Sequence, residues 1–205
     1  MKKIAIYFFF AVLIFQSACL LTGCESSIKQ EQKKAADISE EPLGSASLYQ
    51  TNGKWDNQYG DTISLSKLAG KIPIISMVFT RCTFSCPRIV ADLQAIEQAI
   101  PVDKKDKVVF VLVSFDSDRD HTAELKAFTK QMNLNKSWMV LHGNDDDVRE
   151  LSMLLNVKYK KQENGDFTHS SGLTLLDTKG AIAIQVDGLG KDPKDIIDKI
   201  NILQN

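Results

Sequence analysis

The sequence predicts an α/β domain, a mixed β-sheet flanked by helices. Three observations predict it. Two apolar runs of strand length, KIPIISMVF (Lys71–Phe79) and VVFVLVSF (Val108–Phe115), read as strands buried on both faces. Around them, apolar residues recur at helical spacing. The last third of the chain then changes to short strands joined by tight turns.

The elements follow in order. YQTNGKW carries Asn52-Gly53, a tight-turn signal, and QYGDTISL follows as a second short strand, so the domain opens on a β-hairpin. The run to Phe79 is the first buried strand. After Pro87, the residues Ile89, Leu93, Ile96 and Ile100 form one helical face. Proline is tolerated in a first helical turn and disfavoured deeper in, so this helix begins near Cys86. Val108–Phe115 is the second buried strand. Asp120 can cap a helix through about Met132, with Leu125 and Phe128 on its apolar face. WMVL is a short strand. Asn144-Asp145 opens a helix carrying Val148, Leu151, Leu154 and Leu155, and the acidic trio Asp145–Asp147 suits that helix's positive end.

VKYKK, the turn ENGD, FTHSSGLTLLD, the turn TKG and AIAIQVDG then read as strands, and DPKDIIDKINIL as a closing helix. Parallel strands with crossovers, followed by an antiparallel pair, make a mixed sheet with helices on both faces. That order is thioredoxin-like, with an added N-terminal β-hairpin.

Ahead of the domain the texture differs. Lys2 and Lys3 precede IAIYFFFAVLIF, and small residues stand before Cys24: the pattern of a secretory signal. The apolar run is short for a spanning helix, which needs roughly 20 residues. Leu21-Thr22-Gly23-Cys24 resembles a bacterial lipobox, which implies cleavage before Cys24 and lipid attachment to it. The expected organisation is a lipoprotein signal peptide over 1–23, a flexible tether over 24–46 and one domain over 47–205. An uncleaved anchor helix is the alternative. Either way the domain lies outside the cytoplasm, close to a bacterial membrane. The net charge of −1 gives no electrostatic footprint for a nucleic-acid partner.

Of four cysteines, Cys19 leaves with the signal and Cys24 takes lipid, so Cys82 and Cys86 remain in the domain. They stand in TRCTFSCPRI, between a buried strand and a helix N-terminus. The helix's free N–H groups and the nearby Arg81 and Arg88 favour thiolate over thiol. Four helical residues rise about 6 Å, so the pair can close a disulfide, whose Cα atoms stand roughly 4.4–6.8 Å apart. It can equally hold one soft metal ion. A purely structural disulfide would close only a short loop and contribute little. The spacing is one residue wider than the common C-x-x-C redox motif.

The chain has three histidines. His121 and His142 read as surface or capping residues. His169 differs: in a thioredoxin-like topology its segment runs beside the N-terminus of the thiol-bearing helix. Two thiolates and one imidazole suit Cu(I), tolerate Cu(II), and would take zinc only with a fourth ligand. No fourth cysteine or histidine presents itself. Metal binding and thiol redox chemistry both remain open at this point.

FTRCTFSCP, SFDSDRD (Ser114–Asp120) and THSSGLTLLDTKG together resemble the SCO/SenC family of copper-binding assembly factors for cytochrome c oxidase. The resemblance runs from roughly Leu48 to Ile202. It implies a thioredoxin-like fold, a copper ion on Cys82, Cys86 and His169, and membrane anchoring. It also implies delivery of copper to the oxidase's CuA centre, with the copper-bearing subunit as partner and other copper or thiol carriers as further candidates. The family has also been assigned a thiol–disulfide oxidoreductase role, with Cys82 and Cys86 as a redox disulfide that reduces the acceptor's copper-ligand cysteines. Asp116 matches a family aspartate near the metal. Two departures stand out: Ser117 follows Asp116 where the family usually has proline, and Phe167-Thr168 stand where it often has Val-Asp.

Overall fold

A computed structural model of the chain describes residues 47–204. The signal, the tether and Cys24 lie outside the described residues.

The domain opens on a 3₁₀ turn at Leu48–Gln50, whose Leu48 is buried. Strands β1 (Trp55–Asn57) and β2 (Thr62–Ile63) pair antiparallel, so the N-terminal hairpin is present. Its turn is not at Asn52-Gly53, which lies ahead of β1. The turn is Gln58–Asp61, where the Asn57 side chain accepts from the N–H groups of Tyr59 and Asp61 at 2.8 and 3.0 Å. Gly60 supplies the left-handed backbone that the turn needs, at φ 90°.

The scaffold is a βαβαβ run. Strand β3 (Ile72–Val78) leads to helix α1 (Ser85–Ala99), β4 (Val108–Ser114), α2 (Thr122–Gln131) and β5 (Trp138–His142). β3, β4 and β5 are parallel, in register Ile74↔Phe110↔Trp138. Every residue of β3 is buried, as in a strand covered on both faces. Helix α1 buries Ile89, Leu93 and Ile96, the stripe its periodicity predicts. Helix α3 (Asp145–Leu154) is capped by Asn144, whose side chain accepts from Asp147 N–H at 2.9 Å.

Strands β8 (Gly172–Leu176) and β9 (Ile182–Asp187) return antiparallel, and α4 (Lys194–Leu203) closes the chain against α1. The sheet has seven strands in the order β2-β1-β5-β4-β3-β8-β9. This is the expected thioredoxin-like mixed sheet with its added hairpin.

Two further features depart from the sequence reading. β6 (Tyr159–Lys161) and β7 (Phe167–His169) form a separate two-stranded ribbon rather than joining the main sheet. Asp120 does not cap α2; His121 holds that position. Asp120 is fully buried and accepts from Thr80 N–H at 2.7 Å, Thr80 Oγ1 at 2.5 Å and Ser114 Oγ at 2.6 Å. A buried carboxylate needs such donors, and here they tie the end of β3 to the end of β4.

Candidate metal centre

Cys82 lies in the loop that leaves β3, and Cys86 in the first turn of α1. The residue at the cap position, Phe84, offers no capping side chain. Instead the sulfur of Cys82 accepts from the free N–H of Cys86 at 3.3 Å, so a thiol takes the place of the usual capping oxygen. Cys86 is fully buried in the apolar core, and Cys82 is half-buried at the surface. Both are free thiols.

The two sulfurs therefore differ electrostatically. Burial works to raise the Cys82 thiol, but the hydrogen bonds of Ser85 and of the Cys86 N–H outweigh it and hold the group below its ordinary value. Burial pushes the Cys86 thiol far above its ordinary value, and the neighbouring Cys82 sulfur adds to that. Cys82 is thus the more acidic of the two thiols and Cys86 the less acidic.

His169 ends β7, opposite Tyr159 in the ribbon. Its Nδ1 lies 2.9 Å from the carbonyl oxygen of Ser170. A carbonyl only accepts, so Nδ1 carries the hydrogen and Nε2 is the bare nitrogen. The ring packs on aromatics that follow the two central strands: Phe115 at 5.0 Å between centroids and Phe79 edge-on at 6.2 Å. Phe167 in turn packs on both, edge-on to Phe115 at 5.0 Å and tilted to Phe79 at 5.3 Å. The phenyl ring that departs from the family pattern is thus part of the seat of His169.

The sequence-predicted donors come together. One donor atom each from Cys82, Cys86 and His169 lies within 4.8 Å of the other two, the one such group among the described residues. Two sulfurs and one bare imidazole nitrogen can take a soft ion, or the two sulfurs can close on each other.

Ser85 was not singled out by sequence. Its Oγ sits 3.2 Å from Cys82 Sγ and 2.9 Å from His169 Nε2, bridging two of the three donors. The only available signal was its place directly before Cys86.

Asp116 is not among the three donors. Its carboxylate accepts from Arg119 Nε at 2.5 Å, and Arg119 also donates to the carbonyl of Gly165 in the ribbon's turn. Burial raises Asp116 above the usual carboxylate range, against the pull of Arg119. Asp116 and Arg119 thereby moor the ribbon that carries His169 to the end of β4. His121 and His142 lie apart from the thiols, their rings 5.6 Å from each other.

Comparison with known proteins places this geometry in context. A family model described as SCO1/SenC matches residues 46–204. The chain is 27% identical over 147 residues to the SCO1 protein homolog of Bacillus subtilis, covering 70% of this chain and 76% of that protein. Among solved structures it is similar to a SCO1/SenC family lipoprotein from Bacillus anthracis, with TM-score 0.67 and 27% identity, over 74% of this chain and 92% of that one. It shares the fold of yeast Sco1 with copper bound, with TM-score 0.64 and 23% identity, over 77% and 88% of the two chains. Among the described residues no helix is long and apolar enough to cross a membrane.

Proposed function

The chain belongs to the SCO1/SenC family, and from that premise we propose that it is a membrane-anchored, extracytoplasmic copper carrier serving cytochrome c oxidase. It holds one copper ion as cargo on Cys82 Sγ, Cys86 Sγ and His169 Nε2. It passes the ion to the oxidase's copper-bearing subunit for the CuA centre. The observation that carries this reading is the convergence of the three donor atoms within 4.8 Å. Their chemistry fits the cargo: thiolates select Cu(I), and imidazole accommodates either copper oxidation state. Copper in a relative's structure and the lipid of another relative support the same reading.

The residues divide the work. Cys82, half-buried at the surface and the more acidic thiol, meets the incoming ion first. Cys86 follows by giving up its proton, and His169 closes the site from the ribbon. Discharge runs by ligand exchange: an acceptor thiolate binds the ion and a protein sulfur leaves. The Cys24 lipid holds the domain at the membrane face where that acceptor lies; stable anchoring takes more than one acyl chain.

The thiol pair itself favours a second reading. One low and one high thiol, both free and adjacent, is the arrangement of a thiol–disulfide exchanger that would reduce the acceptor's cysteines.

Copper(I) titration of the reduced full chain against a competing chelator tests the first reading. His169→Ala is expected to weaken binding by about tenfold or more. Unchanged affinity would remove the third donor. Complementation of oxidase assembly separates the readings: a carrier loses function with His169→Ala, whereas a pure reductase keeps it.

A further inference from the structure

Phe84 stands midway between the two thiols and has no part in the core. It occupies the cap position of α1 without capping it. Its side chain is 81% exposed, the most exposed aromatic ring among the described residues. The other phenylalanines among those residues are buried or half-buried. A ring left in water forgoes the stabilisation that burial brings. Single exposed apolar residues are ordinary on a protein surface, so it is the place of this one that matters.

Two arginines flank it. Arg81 directly precedes Cys82, and Arg88 follows Phe84 by one helical turn. Both are exposed. Neither guanidinium forms an ion pair among the described residues. The acid nearest to Arg88 along α1 is Asp92, and its carboxylate accepts instead from the Gly190 N–H at 2.8 Å.

Ligand exchange constrains what touches this surface. A donor that replaces a protein sulfur has to reach bonding distance of an ion held by Cys82 and Cys86. Phe84 is two residues from each, so its Cα lies within about 7 Å of both of theirs. Cys86 is fully buried and Cys82 half-buried, so the approach is from the side where Cys82 surfaces. A protein that brings its own thiolate there meets the exposed ring and both guanidinium groups in the same encounter.

Resting on the carrier reading, we infer that Phe84, Arg81 and Arg88 are the docking surface for the acceptor protein. The acceptor's thiolates lie beside an apolar hollow that takes the ring, and carboxylates on its rim pair with the two arginines. An aromatic anchor with arginine beside it is the composition of a binding hot spot. The two positive charges set the sign of the partner's rim and speed the encounter. An anionic lipid surface would also accept the ring and the charges, but it offers no sulfur to the ion. In the exchange itself the acceptor thiol loses its proton to solvent as its S–Cu bond forms. A protein S–Cu bond breaks, the released thiolate takes a proton from solvent, and copper stays Cu(I).

The test uses the full chain in phosphatidylcholine vesicles, loaded with copper(I), and the oxidase's copper-bearing subunit as acceptor. Phe84→Ala is expected to slow transfer to the subunit at least about tenfold. Transfer to dithiothreitol, which has thiols and no surface, stays at the parent rate. Copper affinity of the chain alone also keeps its parent value, because the ring faces solvent. Phe84→Trp supplies a reporter, since Trp55 and Trp138 are buried; its emission is expected to shift to the blue when the subunit is added. Transfer by Phe84→Ala at the parent rate would overturn the docking surface and leave the carrier reading standing. No transfer from the parent chain would overturn the carrier reading and this surface's occupant with it. A blue shift on replacing part of the phosphatidylcholine by phosphatidylglycerol, with no subunit present, would assign the surface to the membrane and overturn the protein docking.

Discussion

Ser85 Oγ lies 2.9 Å from His169 Nε2, the atom proposed as third donor to the metal, and the same hydroxyl reaches Cys82 Sγ at 3.2 Å. Nε2 is bare, so the hydroxyl's single hydrogen goes to Nε2 when Cys82 is a thiol that donates to Ser85 Oγ, and to the sulfur when Cys82 is a thiolate. In the metal-free protein two of the three donors are therefore engaged with a side chain rather than waiting free. Bringing in an ion means breaking those hydrogen bonds, and letting the ion go means restoring them.

Ser85→Ala is accordingly expected to tighten copper binding by about fivefold, the equivalent of one hydrogen bond of ordinary net strength. The His169 ring keeps its place without Ser85, because Ser170 O and Phe115 hold it. Ser85→Thr, which retains the hydroxyl, should stay near the parent. Affinity and off-rate against a chelator check this; weaker binding in Ser85→Ala would show that the hydroxyl supports the site instead of competing with it.

The thiols should react in a fixed order. The Cys82 thiol is held below its ordinary value and the Cys86 thiol far above it. A lowered value means more thiolate at a given pH, and a raised one means less. In the reduced, metal-free chain at pH 7–8, about the range where an ordinary thiol begins to ionise, iodoacetamide should label Cys82 first and spare Cys86. Peptide mass mapping over time gives the order. Equal rates would contradict the assigned asymmetry.

Asp120→Ala should destabilise the domain by about 3 kcal/mol, since it strands Thr80 N–H and two hydroxyls in the interior. Urea unfolding measures it. Asp120→Asn, which keeps an acceptor oxygen, should cost less.

Alkaline stability carries a signature of Tyr49. Burial, with Asp177 adding to it, raises this phenol from 10.0 to about 12. Its hydroxyl donates to Leu68 O at 3.1 Å. A group whose folded value is raised contributes stability that is present below its unfolded value and lost as pH rises through the folded one. The urea midpoint should therefore fall as pH climbs from 10 towards 12, and Tyr49→Phe should flatten that part of the profile. A slope unchanged in the variant would assign it elsewhere.

Much of this molecule was legible in its sequence. The buried strands were, because a strand covered on both faces has to be apolar throughout, as Ile72–Val78 is. The thiols and His169 were, because a motif fixes two of them and topology delivers the third. What escaped was long-range. Asp120 has the right residue type and place for a helix cap, yet it bonds Thr80, 40 positions away. Asn52-Gly53 carries a strong turn signal, but Asn57 and Gly60 make the actual turn. The meeting of His121 with His142 follows only once β1, β5 and β4 are known to lie side by side. Ser85 is a small polar residue at a helix start, and nothing local sets it apart.

The ribbon that bears His169 shares no ladder with the seven-stranded sheet. Its hold on the domain therefore comes from side chains, the Arg119 bond to Gly165 at its tip and the packing of Phe167 on Phe79 and Phe115, and not from strand pairing. The imidazole thus rides on a separate platform from the thiols, and loosening those few side-chain ties would shift it while leaving the cysteines seated on the sheet and its helix.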